Sequence, residues 1–146
     1  MDMAEREAKK LIEKFEGCRL KAYKCPAGKW TIGYGHTAGV KEGDVWTQEK
    51  ADAMLEKEIG NFKRAVLDCC PSLSETPYRL AACISLAYNI GIGNFGGSSV
   101  ARYIRRGEYR AAADAFGMWV FAGGQRLQGL INRRQMERTV FRRDEV

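Results

Sequence analysis

Ala4, Ala8, Leu11, Ile12 and Phe15 recur at intervals of three and four residues with charged residues between them, and this spacing predicts an amphipathic helix. Asp2 can cap its start, with Glu5 placed to complete a capping box, and Gly17 is a natural stop. Glu16 is then the last helical residue or nearly so, delivered by a rigid element to the start of a loop. Over 19–40 the pattern changes to glycines, aromatics and β-branched residues. Pro26-Ala27-Gly28 reads as a turn between short strands at 21–24 and 29–34, a small antiparallel sheet punctuated by Gly33, Gly35 and Gly39. Thr47 can cap a second helix through Met54, Leu55, Ile59, Phe62, Val66 and Leu67, ending before Pro71. Residues 76–90 are apolar on most sides, the pattern of a helix buried in the centre of a lobe. Further helices are predicted at 97–106, 109–120 and 128–142.

Helix, small sheet, then mostly helices is an α+β arrangement with the sheet segregated near the N-terminus. We expect one domain over 1–146, with an N-terminal lobe at about 1–46, a linking helix at about 47–70 and a helical lobe at about 71–146. A cleft between the lobes is where a ligand would sit.

Composition narrows the function classes. The chain has 146 residues, 45% apolar and 29% charged, which is a balance suited to a soluble globular domain that folds alone. Its longest mostly apolar stretch, 80–92, is shorter than the roughly 20 residues a membrane-spanning helix needs, and the charged residues 1–10 do not resemble a secretion signal. No stable membrane insertion is expected. The formal charge of +6 favours a polyanion, either nucleic acid or bacterial cell wall, although a solvated basic face would have the same composition. Five cysteines without a CxxC pair and one histidine leave little material for a metal site, so neither metal nor cofactor is expected. Cys69, Cys70 and Cys83 read as reduced, buried thiols.

Glu16 is the first candidate for chemistry. The negative end of the helix dipole and the apolar Ile12 and Phe15 both favour its protonated form, which is what a glycosidase needs to give a proton to a leaving oxygen. Position alone is also compatible with an exposed ion-pair partner. Its company is more specific: Cys25 follows nine residues later and Thr31 six further on, within Phe15-Glu16-Gly17, Lys21-Ala22-Tyr23 and Trp30-Thr31-Ile32-Gly33-Tyr34-Gly35-His36. On these residues the chain resembles the phage lysozymes, or endolysins, of glycoside hydrolase family 24. The likeness continues through Tyr88-Asn89-Ile90-Gly91, Ser98-Ser99, Trp119, Ala122-Gly123-Gly124, Gly129-Leu130, Arg133-Arg134 and Glu137.

The resemblance implies a two-lobed lysozyme-like fold and hydrolysis of the β-1,4 bond between N-acetylmuramic acid and N-acetylglucosamine in peptidoglycan, with cell lysis as the result. It implies Glu16 as general acid, with Cys25 and Thr31 completing the catalytic set. Cys25 can serve as thiolate base, as nucleophile or as a soft neighbour, and Thr31 as the group that positions water or as an ordinary strand residue. Among supporting candidates, Tyr23 lines the cleft or packs, and His36 has a structural hydrogen-bonding role. Asn89 holds the cleft floor or touches substrate, and Gln125, Arg126 or Arg133 reaches Glu16 or the sugar. A disulfide from Cys18 to Cys25, or from Cys25 to another thiol, would cage the site. The resemblance further implies a monomer acting on peptidoglycan, not nucleic acid, made in the host cytoplasm and released to the periplasm through a holin. A non-catalytic wall-binding or nucleic-acid-binding module and a chitin or chitosan glycosidase are the competing functions.

Overall fold

The computed structural model describes residues 1–145. Helix α1 (Met3–Glu16) has the expected capping box, with Asp2 accepting from the Glu5 backbone N–H at 2.8 Å and Glu5 returning a bond to Asp2 N–H at 3.4 Å. Ala4, Ala8, Leu11 and Ile12 are its buried face. Gly17 ends it at φ +68°, a backbone conformation that costs glycine little.

Strands β1 (Arg19–Lys24) and β2 (Trp30–Gly33) then pair antiparallel, with Tyr23 opposite Thr31 and Lys24 opposite Trp30. Gly33 at φ +66° is required twice over, because a Cβ there would lie 2.9 Å from the Trp46 ring. Helix α2 (Gln48–Cys69) starts at Thr47, whose hydroxyl accepts from the Lys50 N–H, and the chain passes a 3₁₀ segment (Pro71–Glu75) into α3 (Pro77–Ile90). Every residue of α3 from Leu80 to Ala87 is buried, so it is the central rod of the helical core. Helices α1, α2 and α7 (Gln128–Phe141) pack around it. The fold is α+β, a small sheet attached to a mainly helical body.

Three local differences separate structure from expectation. A short helix α4 (Ile92–Gly96) precedes α5 (Ser99–Arg105), because Ser98 breaks 97–106 as an N-cap, accepting from Ala101 N–H at 3.1 Å. The helix expected at 109–120 is α6 (Tyr109–Ala115), with one 3₁₀ turn at Phe116–Met118. The Phe116 ring leaves that turn to meet Phe141 edge-on at 5.4 Å. Finally, a second hairpin, β3 (Phe121–Ala122) with β4 (Gln125–Arg126), turns on Gly123 and Gly124, whose φ angles are +58° and +78°. Two consecutive positive φ values are what a two-residue hairpin loop demands.

Candidate active site

Two sequence-distant segments meet at Glu16. Helix α1 carries it to a half-buried position, and α7 brings Arg133 to it, with Nη1 donating to Oε2 at 2.6 Å. On the other side Gly35, at φ +89°, lets the backbone lie against the carboxyl: a Cβ there would come within 3.2 Å of Oε1. The guanidinium also lies over the Phe15 ring, 5.8 Å from its centroid, so the apolar neighbour of Glu16 helps to seat its partner.

Arg133 itself is almost wholly buried and serves a second carboxylate. Its Nε donates to Glu137 at 3.3 Å and its Nη2 to the Ser85 carbonyl at 3.2 Å. Glu137, at 0% exposure, also accepts from the Ser85 hydroxyl at 2.5 Å and stands 3.0 Å from Arg134 Nε, a close but poorly aligned ion pair. Burial pushes the Glu137 carboxyl up, against the pull of the two guanidiniums and of the Ser85 hydroxyl. Burial likewise pulls Arg134 down from the usual arginine range. Arg134 then reaches outward to Asn89, whose Oδ1 accepts at 2.6 Å.

Hairpin β1–β2 carries the other two residues of the expected set. Tyr23 and Thr31 are directly opposed across the ladder, and Cys25 opens the loop, its N–H donating to the Lys29 carbonyl at 2.9 Å. Tyr23 faces Thr31 across the ladder, and the Thr31 hydroxyl is within hydrogen-bond reach of the Cys25 thiol. The Lys29 backbone N–H first, then that of Ala27 and the Thr31 hydroxyl, draw the Cys25 thiol below the ordinary cysteine range, while partial burial opposes them. Thr31 is buried and its hydroxyl donates to the Lys29 carbonyl at 3.1 Å. That single proton can serve either the carbonyl or a Cys25 thiolate, so the two residues form one small switchable unit.

The remaining candidates are scattered. Tyr23 is half-buried under the Arg19 guanidinium, 4.5 Å from its ring centroid. The His36 ring packs on Trp46 with centroids 5.3 Å apart, and among the described residues it makes no hydrogen bond; the bonds at this position are backbone ones closing the turn with Ile32 at 2.9 Å. Asn89 lies on the exposed side of α3. Gln125 and Arg126 are exposed on β4 and, unlike Arg133, make no bond to Glu16. All five cysteines are free. A disulfide from Cys18 to Cys25 is ruled out in this fold because strand β1 lies between them. Seven residue steps of strand span about 20 Å, against the roughly 7 Å that a disulfide tolerates. The Cys18 thiol instead faces the Gln48 amide at 3.8 Å. Among the described residues no group of three His, Cys, Asp or Glu side chains can hold a metal ion.

Sequence reasoning missed three members of this site. Ser85 lies inside an apolar helix, where nothing in the local pattern marks it. Gly35 was read as punctuation, and its contact with Glu16 is tertiary. Glu137 did carry a signal: it follows Arg133 by four residues and Arg134 by three on one helix, the spacing of intrahelical ion pairs.

Comparisons with known proteins follow the same geometry. The family model described as phage lysozyme matches residues 13–137, a span that includes Glu16, Cys25, Thr31, Arg133 and Glu137. An endolysin of Acyrthosiphon pisum secondary endosymbiont phage 1 is 42% identical over 135 residues, covering 90% of this chain and 92% of that protein. The endolysin of Bacillus phage B103 is 39% identical over 134 residues, 90% of this chain, which spans only 51% of that longer relative. Among solved structures, the muramidase domain of SpmX from Asticaccaulis excentricus has a TM-score of 0.83 at 37% identity, covering 93% of this chain and 95% of that one. The active form of P1 phage endolysin Lyz has a TM-score of 0.86 at 29% identity, covering 97% and 85%. By its matched span, its fold and these relatives, the chain belongs to the phage lysozyme family.

Proposed function

We propose that the protein is a muramidase that hydrolyses the bond between N-acetylmuramic acid and N-acetylglucosamine in peptidoglycan, with Glu16 as proton donor. The observation that carries this reading is the seating of Glu16 between the Arg133 guanidinium and the Gly35 backbone, with one edge left open. A carboxyl so held has few orientations available, which is what delivery of a proton to one oxygen requires. Protonated Glu16 gives its proton to the leaving 4-oxygen as the glycosidic bond breaks. A water held by Thr31 attacks the anomeric carbon, and the Cys25 thiolate takes the proton that water loses. The net change is one water added across the bond, and its attack on the opposite face inverts the anomeric centre.

The deciding experiment is the identity of the reducing-end sugar released from purified peptidoglycan. N-acetylmuramic acid is expected; N-acetylglucosamine at the reducing end, or an anhydro product, would overturn the assignment. Glu16→Gln is expected to lower the rate about 10²- to 10⁴-fold, the usual range for removal of a general acid, with the fold intact by circular dichroism. Retained lysis would remove Glu16 from its role.

Synthesis in the host cytoplasm, passage through a holin-type pore and action as a monomer on the wall belong to the same reading. Among the described residues no helix is long and apolar enough to cross a membrane. Expression with and without a pore-forming partner tests the route, and lysis without one would exclude it. Sedimentation tests the monomer.

A further inference from the structure

The turn that presses on Glu16 is itself held from two sides. Tyr34 precedes Gly35, and its hydroxyl donates to Asp52 at 3.2 Å and accepts from the Gln48 amide at 3.2 Å, both on α2. Its backbone carbonyl points the other way, into the helical body, and accepts from the Tyr88 hydroxyl on α3 at 2.6 Å. That bond joins residues 54 apart in sequence and ties the sheet's exit turn to the central helix. Tyr88 cannot swing away freely, because its ring is tilted against Phe62 of α2 at a centroid distance of 5.4 Å. Gly35 and Tyr88 also line one concavity of about 190 Å³ with His36, Thr37, Glu58 and Phe62.

We propose that Tyr88 is a positioning residue for the reaction: its hydroxyl, bonded to the Tyr34 carbonyl, sets how closely the Gly35 backbone packs on the Glu16 carboxyl. A peptide unit pinned at Tyr34 leaves Gly35 little travel, and Gly35 is the surface against which Oε1 rests. Arg133 fixes the opposite oxygen, Oε2. The two restraints act on different oxygens and come from different helices, so neither replaces the other. Burial, and then the charge of Glu16, push the Tyr88 hydroxyl well above the ordinary tyrosine range, which keeps its proton available for the carbonyl at any pH at which the enzyme works.

The inference rests on Glu16 being the proton donor, and the test separates the two ideas. Tyr88→Phe keeps the ring and its packing on Phe62 while deleting the donor. It is expected to lower kcat about 10- to 100-fold with KM changed less than about twofold, the cost of displacing a reacting group rather than of losing a substrate contact. Gly35→Ala presses on the same carboxyl from the same side, so the double variant is expected to lose less than the product of the two single losses. A wild-type kcat in Tyr88→Phe would overturn the proposal. So would a loss carried by KM, which would make Tyr88 a sugar-contacting residue, and so would multiplicative effects in the double variant. A thermal melt identifies any loss caused by unfolding. If Glu16→Gln is fully active the proton-donor reading fails, whereas an active Tyr88→Phe beside an inactive Glu16→Gln defeats only the positioning role.

Discussion

One arginine serves two carboxylates with opposite fates. Glu137 is sealed, with Arg133, Arg134 and Ser85 around it, and belongs to the packing of α7 on α3. Glu16 takes the other arm of Arg133 but keeps 22% of its side chain open. The interior carboxylate grips one arm of the arginine, and another arm grips the half-exposed carboxylate. The same division runs through the protons of other groups. Inside, burial pushes Cys70 up to about 11 and Cys83 well above the usual thiol range. At the hairpin, backbone N–H groups draw Cys25 down. The body holds its thiol protons more tightly than free cysteine does, and the hairpin holds that of Cys25 less tightly.

The sharpest way to break this division is Glu137→Gln. It leaves the buried Arg134 guanidinium without its counter-charge and Arg133 with Glu16 alone, and a loss of about 3–5 kcal/mol in urea unfolding is expected. That is a large share of the roughly 5–15 kcal/mol that holds a domain together. A loss under about 1 kcal/mol would mean that Glu137 does not anchor the network. Arg133→Lys comes next, because an ammonium has no fixed fork with which to span both carboxylates. We expect kcat/KM to fall about tenfold, equivalent to about 1.4 kcal/mol, together with a lower Tm. An activity loss with unchanged Tm would detach the site from the core.

Alkaline pH tests the interior side. The unfolded chain begins to release protons near the ordinary values of 9.0 for cysteine and 10.0 for tyrosine, whereas the folded state retains them at Cys70 until about 11 and at Tyr34 until about 12. Cys83 and Tyr88 shift in the same direction. The folded state therefore binds more protons in that window, and stability that is fully present below pH 9 is lost as pH rises through these values. Tm is expected to drop by about 10 °C between about pH 8 and pH 10.5, and a flat profile would contradict the burial of these groups. The smallest effect is on labelling. Iodoacetamide at neutral pH should modify Cys25 before any other cysteine, by about tenfold over Cys70 and Cys83, as read by peptide mass spectrometry. Equal labelling would remove the special status of the hairpin thiol.

Much of the frame was legible in the amino-acid pattern. The α1 capping box, the Thr47 cap and the apolar run of α3 are local signals, and local signals decide helices with a strong period. The 19–40 hairpin followed from Pro26-Ala27-Gly28 and the β-branched residues around it. Four-residue events escaped: Ser98 acts as a cap only because Phe95 and Ala101 are in reach, and β3–β4 is too short to show alternation. At the site, Glu16, Cys25 and Thr31 were named through the family resemblance that their spacing carries. What holds Glu16 was not, because Arg133 is 117 residues away and the Ser85 and Tyr88 bonds exist only once α3 is in place. Periodicity reports which face of an element is apolar and has no means of reporting which polar group will lie across from it.

The span from Glu16 to Arg133 also governs timing. A chain leaving the ribosome at about 5–20 residues per second has its acid in hand for several seconds before the arginine that orients it has been made. Until α7 is made, Glu16 lacks the guanidinium that holds its Oε2. A chain that has not yet made α7 thus carries Glu16 without the group that fixes one of its two oxygens.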